Sequence, residues 1–289
     1  MALIDHFRIL TSRVQPLDSE QNAAVNHLAT VRTRISSVFG VNKFVTVGSY
    51  SRNTSIRGNS DADLLVVFPR DELRWGGSYV ASSTALDNLK RELQARYKFT
   101  DIYRDVHSIV IDFSDCRVDV VPSFFLETTK NNWPMYAMPD GNGGWMKTCP
   151  ELHAKYIKNA NEESGGKLRV VAQLMKYWRE CREPRVPISS FYIEMVLASE
   201  AICKGVKSYD ECLRDIFQIL AARECRAMRD PLGLAGNISC VKTESKREAA
   251  LASVKYSRDH AKSAYQAGFL SVVEARRQWD IVFNGNFPR

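Results

Sequence analysis

The chain has 289 residues, 45% of them hydrophobic, which suffices for two domains of ordinary size with a core in each. Its formal net charge of +7 favours polyanionic partners, either nucleic acid or nucleoside triphosphates, and does not decide between them. The longest apolar runs are far shorter than the ~20 residues of a membrane span, and charges at Asp5 and Arg8 interrupt the apolar stretch that a signal peptide needs. Seven cysteines without a C-x-x-C pair suit a reducing compartment. We therefore expect a folded protein of the cytoplasm with no membrane contact.

The first half of the chain is predicted to contain one long helix and several strands. After Pro16, apolar residues recur about every 3.5 residues as far as Val38, which is typical of an amphipathic helix, and Gly40 is a natural stop. Short segments rich in β-branched residues then predict strands separated by polar turns. The predicted elements after the helix are a strand at 43–47, a loop at 48–60, a strand at 62–68, a helix at 83–97, and strands at 108–113 and 117–121, the last ending at Pro122.

The second half of the chain is predicted to be helical. One helix has an apolar stripe through Trp178 and a polar face that carries Lys176. Another helix starts after Ser190, and a long one covers residues 243–279 with a weak point at Gly268. Strands in one half and helices in the other predict an α+β fold, with an α+β domain at residues 1–150, a helical domain at 151–289, and a ligand cleft between them.

Two aspartates begin the predicted strand at 62–68. Asp61 and Asp63 are two residues apart, so their side chains leave the same face of an extended chain. Two carboxylates at such close range repel each other unless a cation lies between them. Hard oxygen ligands select Mg²⁺ or Mn²⁺, usually shared with substrate phosphates. The pair therefore predicts a divalent metal site.

A third carboxylate would complete this site, and three aspartates compete for the role. Asp119 lies in mid-strand between two valines, where a lone carboxylate has no structural reason to be. Asp115 falls in the predicted turn, where aspartate commonly bonds the local backbone, and Asp112 is close to a strand end and can be solvated. Asp119 is therefore the favoured third ligand.

A Gly-Ser pair precedes the two aspartates and opens the predicted loop. Gly48 allows backbone N–H groups to approach a phosphate, and the Ser49 hydroxyl can add a hydrogen bond. Such a pair alone has little weight because most Gly-Ser pairs are turns. Followed by a strand that opens on D-x-D, it becomes a specific signal for phosphate chemistry.

These motifs resemble a known signature. Residues 48–54 together with 59–68 are similar to the signature of the polymerase-β-like nucleotidyltransferases, and 118–122 resembles their third-aspartate strand. Within that superfamily the likeness is greatest to the branch that holds 2′-5′ oligoadenylate synthetase, cyclic GMP-AMP synthase and the bacterial CD-NTases of anti-phage defence. The resemblance implies a polymerase-β-like lobe with a mixed sheet and a C-terminal helical lobe that closes the nucleotide cleft.

The resemblance also implies roles for residues of the second half. The segment 168–178 is similar to the helix that supplies a lysine to nucleotide phosphates, at the position of Lys176. The segment from Ser190 resembles one in which a serine touches phosphate and an aromatic residue, here Phe191, stacks on the donor base. Without the resemblance, an ordinary surface lysine and an ordinary core aromatic are the better interpretations. No role is assigned to Tyr50, Arg52 or Thr54.

The implied function is a template-independent nucleotidyltransferase. It would use two Mg²⁺ or Mn²⁺ ions on Asp61, Asp63 and Asp119 to turn nucleoside triphosphates, ATP among them, into a cyclic di- or trinucleotide second messenger in anti-phage defence. The alternative is an RNA 3′-end nucleotidyltransferase of the CCA-adding or poly(A) type. A nucleic-acid or protein activator is compatible with the sequence but is not identified by it.

Overall fold

The structure is a computed structural model that describes residues 2–59, 61–234 and 236–289. It divides into two compact units, each with its own interior. The sheet unit is Pro16–Lys155, and the helical unit combines Tyr156–Arg289 with residues 2–15. None of the helices in the described residues is long and apolar enough to cross a membrane.

Ten α-helices and a short 3₁₀ helix at Arg70–Leu73 are found in the described ranges. In chain order the α-helices are α1 (Leu3–Val14), α2 (Asp18–Ser36), α3 (Gly48–Ser51), α4 (Ser82–Arg96), α5 (Pro150–Glu163), α6 (Lys167–Glu180), α7 (Ser190–Ser199), α8 (Tyr209–Ala222), α9 (Glu244–Gly268) and α10 (Val272–Val282). Residues 244–282 thus form two helices rather than one, and the break follows Gly268, where the sequence predicted a weak point.

Strands β1 to β9 belong to the sheet unit, and a short ribbon belongs to the helical unit. They are β1 (Lys43–Val47), β2 (Ala62–Phe68), β3 (Arg74–Trp75), β4 (Ser78–Tyr79), β5 (Asp101–Arg104), β6 (Ile109–Asp112), β7 (Arg117–Thr128), β8 (Pro134–Pro139), β9 (Trp145–Thr148), β10 (Met228–Arg229) and β11 (Asn237–Ile238). The main sheet has the order β1-β2-β7-β6-β5, and β8 pairs with β7 and β9. Only β2 and β7 run parallel, so the sheet is mixed.

The two faces of this sheet differ in character. One face is apolar and shares a core cluster with buried residues of α2 and α4, because alternate strand residues point to the same side. Its buried strand residues include Ala62, Leu64, Val66, Ile102, Ile109, Ile111, Val118 and Val120. The opposite face carries Asp63 and Asp119, and further along it a small apolar cluster of Val45, Leu65, Val67 and Tyr136. The fold therefore presents carboxylates on the face that the two helices leave uncovered.

Helix α1 was not predicted from the sequence. Its Phe7 ring lies 5.3 Å from the Trp279 ring and 4.9 Å from the Phe287 ring, in edge-on contacts, and the His6 ring bonds the Pro288 carbonyl oxygen at 3.2 Å. The predicted boundary between residues 150 and 151 therefore differs from the observed division, since residues 2–15 pack with the C-terminal residues.

The first predicted helix and the strand at 117–121 need correction. Helix α2 ends at Ser36, and Val25 and Val38 of the predicted stripe are 52% and 39% exposed. Strand β7 continues through Pro122 to Thr128. Proline is tolerated here because residues 117–120 pair with β6 and 124–128 pair with β8, so position 122 falls between the two partners on that edge. The structure also contains α3 within the predicted loop, whose last residue, Ser60, lies outside the described residues.

Candidate active site

The two carboxylates that belong to strands stand side by side. Asp63 of β2 and Asp119 of β7 are partners in the parallel register, so their side chains leave the same face about one strand spacing apart. Asp61 precedes Asp63 by two residues and is close enough for its charge to act on Asp119. The structure therefore brings together the three aspartates predicted from the sequence.

Asp119 is the carboxylate most perturbed by this arrangement. Burial, and after it the negative charges of Asp63, Asp61 and Asp105, raise its pKa to about 7 against the opposing effect of Arg117. Its Oδ1 atom is buried and accepts no hydrogen bond from the described residues. A buried acceptor in a negative environment is costly unless a cation or a proton reaches it.

Gly48 is held against one of these carboxylates. It pairs with no strand residue itself, but Val47 before it is the β1 partner of Asp63. Its φ of +71° lies in the left-handed region, and a Cβ atom added there would stand 1.6 Å from Asp63 Oδ2. Glycine at position 48 is therefore needed both for the backbone conformation and for the space that Asp63 fills.

The loop after Gly48 is tied together by its own hydroxyl and carbonyl groups. The Ser49 and Ser55 Oγ atoms are 3.3 Å apart, and the Ser49 carbonyl oxygen accepts from the Thr54 backbone N–H at 3.0 Å. Thr54 is only 1% exposed and Tyr50 packs on the sheet core, so both have structural roles. Ser49 directly follows Gly48, which is held against Asp63, and the Ser49 hydroxyl stays a predicted phosphate contact.

The two rejected candidates for the third carboxylate are engaged elsewhere. Asp115 Oδ1 is 2.7 Å from His27 Nε2, and the His27 ring stacks on Phe113. Asp112 Oδ2 accepts from Arg117 Nη2 at 3.3 Å. Of the three, only Asp119 is in register with Asp63.

The donor set fits a hard divalent cation that is shared with substrate. Carboxylate oxygens on one sheet face, one of them buried without a hydrogen bond from the described residues, are the kind of ligand that Mg²⁺ and Mn²⁺ select. Within those same ranges no three His, Cys, Asp or Glu side chains already stand so that they could hold a metal ion by themselves. Mg²⁺ is usually held by one or two carboxylates plus substrate phosphates rather than by a protein cage.

Lys176, predicted to contact phosphate, lies in the interior of the helical unit. It is 3% exposed, and its Nζ donates to Glu194 Oε1 at 2.5 Å, where Glu194 is fully buried. The predicted polar face of α6 is therefore largely interior, with Gln173 also buried. The phosphate role of Lys176 stays a prediction that must account for this ion pair.

Ser190 and Phe191 begin helix α7, as the sequence predicted. Ser189 is the N-cap and its Oγ accepts from the Tyr192 backbone N–H at 3.4 Å. Ser190 Oγ accepts from Arg179 Nη1 at 2.8 Å, and the Phe191 side chain is half-buried. Their contacts with phosphate and base stay predictions.

Sequence reasoning missed two charged residues close to the carboxylates. Asp105 follows β5 and its charge reaches Asp119, and Arg117 lies two residues before Asp119 on the same strand face. The alternation of β7 contained the signal for Arg117, since residues 117, 119 and 121 share one side. The sequence around Asp105 does not predict that this residue lies close to Asp119, because its position depends on the pairing of β5 with β6.

A protein-family model matches more than half of the chain. Residues 1–161 match the model of the Second Messenger Oligonucleotide or Dinucleotide Synthetase domain. The matched segment contains Gly48, Ser49 and the three aspartates. Lys176, Ser190 and Phe191 fall outside it.

Curated relatives agree with this family. The chain is 24% identical over 235 residues to the probable cyclic nucleotide synthase of Bacillus cereus (strain VD146), covering 71% of this chain and 70% of that protein. It is 26% identical over 200 residues to the cyclic AMP-AMP-AMP synthase of Escherichia coli (strain MS 115-1), covering 65% and 59%.

Solved structures share the fold. The E. coli MS115-1 CdnC structure with ATP has a TM-score of 0.76 at 19% identity and covers 99% of both chains. The same protein in the CdnC:HORMA-deltaN complex gives a TM-score of 0.70 at 21% identity, over 99% of this chain and 97% of that one. The likeness supports a polymerase-β-like mixed sheet accompanied by helices.

One relative represents the alternative function. The CCA-adding enzyme of Saccharolobus shibatae is 22% identical over 167 residues, which covers 56% of this chain and 35% of that enzyme. This similarity is weaker and extends over a smaller part of both proteins than that to the cyclic nucleotide synthases.

The synthetase domain model matches residues 1–161, and the carboxylates of that segment lie on one sheet face. The chain therefore belongs to the Second Messenger Oligonucleotide or Dinucleotide Synthetase family, the bacterial CD-NTases.

Proposed function

We propose that this protein is a metal-dependent, template-independent nucleotidyltransferase that joins nucleoside triphosphates into a cyclic di- or trinucleotide second messenger of anti-phage defence. The observation that carries the proposal is the placement of Asp119 beside Asp63, with its pKa raised to about 7 by burial and by neighbouring carboxylates. A site of this kind gains most from a divalent cation and a triphosphate that arrive together.

Each carboxylate is assigned a part in the reaction. Asp61 and Asp63 would hold two Mg²⁺ or Mn²⁺ ions against the donor triphosphate, and Asp119 would help to hold the one nearer the attacking ribose hydroxyl. When bound, the ions lower the pKa of that hydroxyl and neutralise charge on the phosphates. Asp119 is suited to this position because its Oδ1 atom is buried without a hydrogen bond from the described residues, and burial and neighbouring carboxylates disfavour its charge unless a cation binds.

The remaining predicted residues would position the nucleotide. Gly48 sets the space that Asp63 occupies, and Ser49 would donate a hydrogen bond to a phosphate. Lys176 and Ser190 would contact phosphate and Phe191 would stack on the base, as the family resemblance implies. ATP is the expected substrate because the similar CdnC structure is one with ATP and a similar E. coli protein is named a cyclic AMP-AMP-AMP synthase. The CdnC:HORMA-deltaN complex supports a protein activator for this chain as well.

Mass spectrometry of a primer-free reaction tests this proposal. Purified protein with Mg²⁺ and the four nucleoside triphosphates should yield a nucleotide product that resists phosphatase, because a ring has no terminal phosphate. The Asp61→Asn/Asp63→Asn double variant should yield none. The matched control is Asp115→Asn, whose carboxylate bonds His27 and should not affect the product.

Three results would contradict the proposal. A product that phosphatase removes would argue against cyclisation. Ladders that form only after RNA is added would favour the RNA 3′-end transferase. Activity in the double variant would refute the assignment of the carboxylates.

A further inference from the structure

Two rows of side chains cross the sheet on the carboxylate face. Strand partners define the first row, which consists of Val47, Asp63, Asp119, Val110 and Tyr103. The second row lies two residues away along the strands and consists of Arg117, Asp112 and Asp101, with Asp61 beside Arg117 when the β2–β7 register is continued by one residue. The carboxylate face thus continues, without interruption, from β2 to the edge strand β5.

Arg117 is the one cation among the side chains of these rows. Its Nη2 donates to Asp112 Oδ2 at 3.3 Å, but both side chains are about 40% exposed, and an ion pair of that exposure contributes little. The Arg117 Nε atom is buried and donates to no acceptor in the described part of the chain. A guanidinium offers a planar set of donors that matches a phosphate, so Arg117 has capacity for an anion.

Tyr103 is the one aromatic residue of the rows. It is 41% exposed on the edge strand, and its side chain lies within electrostatic reach of Arg117. Only Val110 separates it from Asp119 in the first row, so the backbones of Tyr103 and Asp119 are about 10 Å apart, twice the spacing of neighbouring strands. An exposed aromatic ring at that distance is available to a nucleobase whose ribose lies at Asp119.

We propose that Tyr103 and Arg117 form the surface that binds the acceptor nucleotide, the one whose hydroxyl attacks. Tyr103 stacks on its base, and Arg117 binds its phosphate. This inference rests on the proposed function, since it assigns the second substrate of the same site.

The step served by this surface is one nucleotidyl transfer. The acceptor hydroxyl oxygen forms a bond to the α-phosphorus of the donor, and the bond from that phosphorus to the bridging oxygen breaks. Pyrophosphate leaves with the electron pair, and the hydroxyl proton passes to solvent. No redox partner is involved.

Two substrate analogues separate the acceptor from the donor. A 2′,3′-dideoxynucleoside triphosphate has no attacking hydroxyl and serves only as donor. An α,β-methylene nucleoside triphosphate keeps its hydroxyls but has a carbon in place of the leaving oxygen, so it serves only as acceptor. Each is supplied with the bases found in the primer-free product, and the single dinucleotide product is quantified at varied concentration of one analogue.

The variants Tyr103→Leu and Arg117→Gln should each raise the KM for the acceptor analogue about 5- to 100-fold and leave the KM for the donor analogue unchanged. Tyr103→Phe should behave as wild type, because it keeps the ring. The matched control is Phe125→Leu, which removes a ring of similar exposure, 38%, on the same sheet six residues beyond Asp119.

A comparison of acceptors isolates the contact of Arg117 with phosphate. Replacing the acceptor analogue by the free nucleoside should raise the KM for wild type and should have little further effect in Arg117→Gln. A variant that is merely destabilised would show the same sensitivity to phosphate removal as wild type.

The outcomes distinguish this inference from the function beneath it. An active wild type whose variants keep the acceptor KM, or lose donor and acceptor affinity equally, overturns the assignment of Tyr103 and Arg117 alone. A wild type that forms no dinucleotide from the analogues and no cyclic product from triphosphates overturns the proposed function, and this inference with it.

Discussion

The carboxylate site of the sheet unit and the Lys176–Glu194 pair of the helical unit differ in how their buried charges are compensated. In the helical unit an ammonium and a carboxylate, 3% and 0% exposed, bond each other at 2.5 Å. In the sheet unit three aspartates crowd together, and the pKa of Asp119 rises to about 7 by burial and by repulsion. The first arrangement is complete within the protein, whereas in the second the buried Asp119 Oδ1 accepts no hydrogen bond from the described residues and favours a cation from outside. A ligand site can therefore be recognised by the charge that the fold leaves unbalanced.

The largest expected effect follows from removing the charge of Asp119. Asp119→Asn should lower nucleotidyl transfer about 1000-fold or more, because a metal ligand beside the attacking hydroxyl is lost. Without metal at neutral pH the same variant should be more stable by about 2 kcal/mol, since the cost of burying a charge and the repulsion by neighbouring carboxylates are both removed. Activity is measured with triphosphates and Mg²⁺, and stability by urea unfolding in EDTA. Lower stability of the variant in EDTA would contradict the unbalanced-charge interpretation.

The next largest effect concerns the balanced pair. Lys176→Met should lose about 4 kcal/mol of unfolding free energy, because Glu194 is left charged and buried. Lys176→Met/Glu194→Leu should recover most of that loss, and urea unfolding measures both. The control Lys207→Met removes a more exposed pair with Asp215 and should cost under about 1 kcal/mol.

The double variant also decides whether Lys176 has a second role. If Lys176 contacts phosphate, the stable double variant should still show a raised KM for triphosphate. An unchanged KM would reduce Lys176 to a structural residue.

A smaller effect is expected from Gly48→Ala. The added methyl group would stand 1.6 Å from Asp63 Oδ2, so Asp63 must move and activity should fall about 100-fold. Gly58→Ala is the matched control, since its φ of +72° imposes the same backbone strain but its Cβ would meet no atom within 4 Å. Both variants should lose about 1–2 kcal/mol of stability, and only Gly48→Ala should lose activity. Equal activity of the two variants would contradict the inference that Gly48 is needed to leave space for the Asp63 side chain.

The smallest effect is the pH dependence of stability without metal. The pKa of Asp119 is about 7 in the folded protein, whereas 3.8 is the ordinary value of an aspartate and is taken for the unfolded chain. Between these two pH values the folded state therefore retains a proton that the unfolded state loses. Stability of wild type relative to Asp119→Asn should therefore fall by on the order of 2 kcal/mol as pH rises from about 4 to about 7. Urea unfolding of both proteins across this range measures it. If the stability difference between wild type and Asp119→Asn does not change with pH, the raised pKa of Asp119 is contradicted. The stabilisation of wild type by Mg²⁺ should increase over the same pH range, because the cation competes with the proton.

Sequence reasoning reached the parts of the molecule that depend on local pattern. Strands β1 and β2 begin and end where alternation and β-branched residues predicted, and the choice of Asp119 over Asp112 and Asp115 matches its register with Asp63. These features depend on neighbours within a few residues, where the physical signal is strong.

It failed where long-range packing decides. Helix α1 has its partners near residues 279–288, and β7 passes through Pro122 because of how β6 and β8 share its edge. The interior position of Lys176 likewise depends on Glu194, which lies on another helix. No periodicity within α1, β7 or α6 contains that information.

The helical unit is discontinuous along the chain, since its two segments, residues 2–15 and 156–289, come before and after the sheet unit in the sequence. During synthesis the sheet unit has all its residues once Lys155 has left the ribosome, so its carboxylate face can form first. Helix α1 must then remain without Trp279 and Phe287 until about 130 further residues are added, on the order of ten seconds at ordinary elongation rates. The apolar face of α1 is therefore exposed to chaperones or to aggregation during translation, and slow codons late in the message would prolong that exposure.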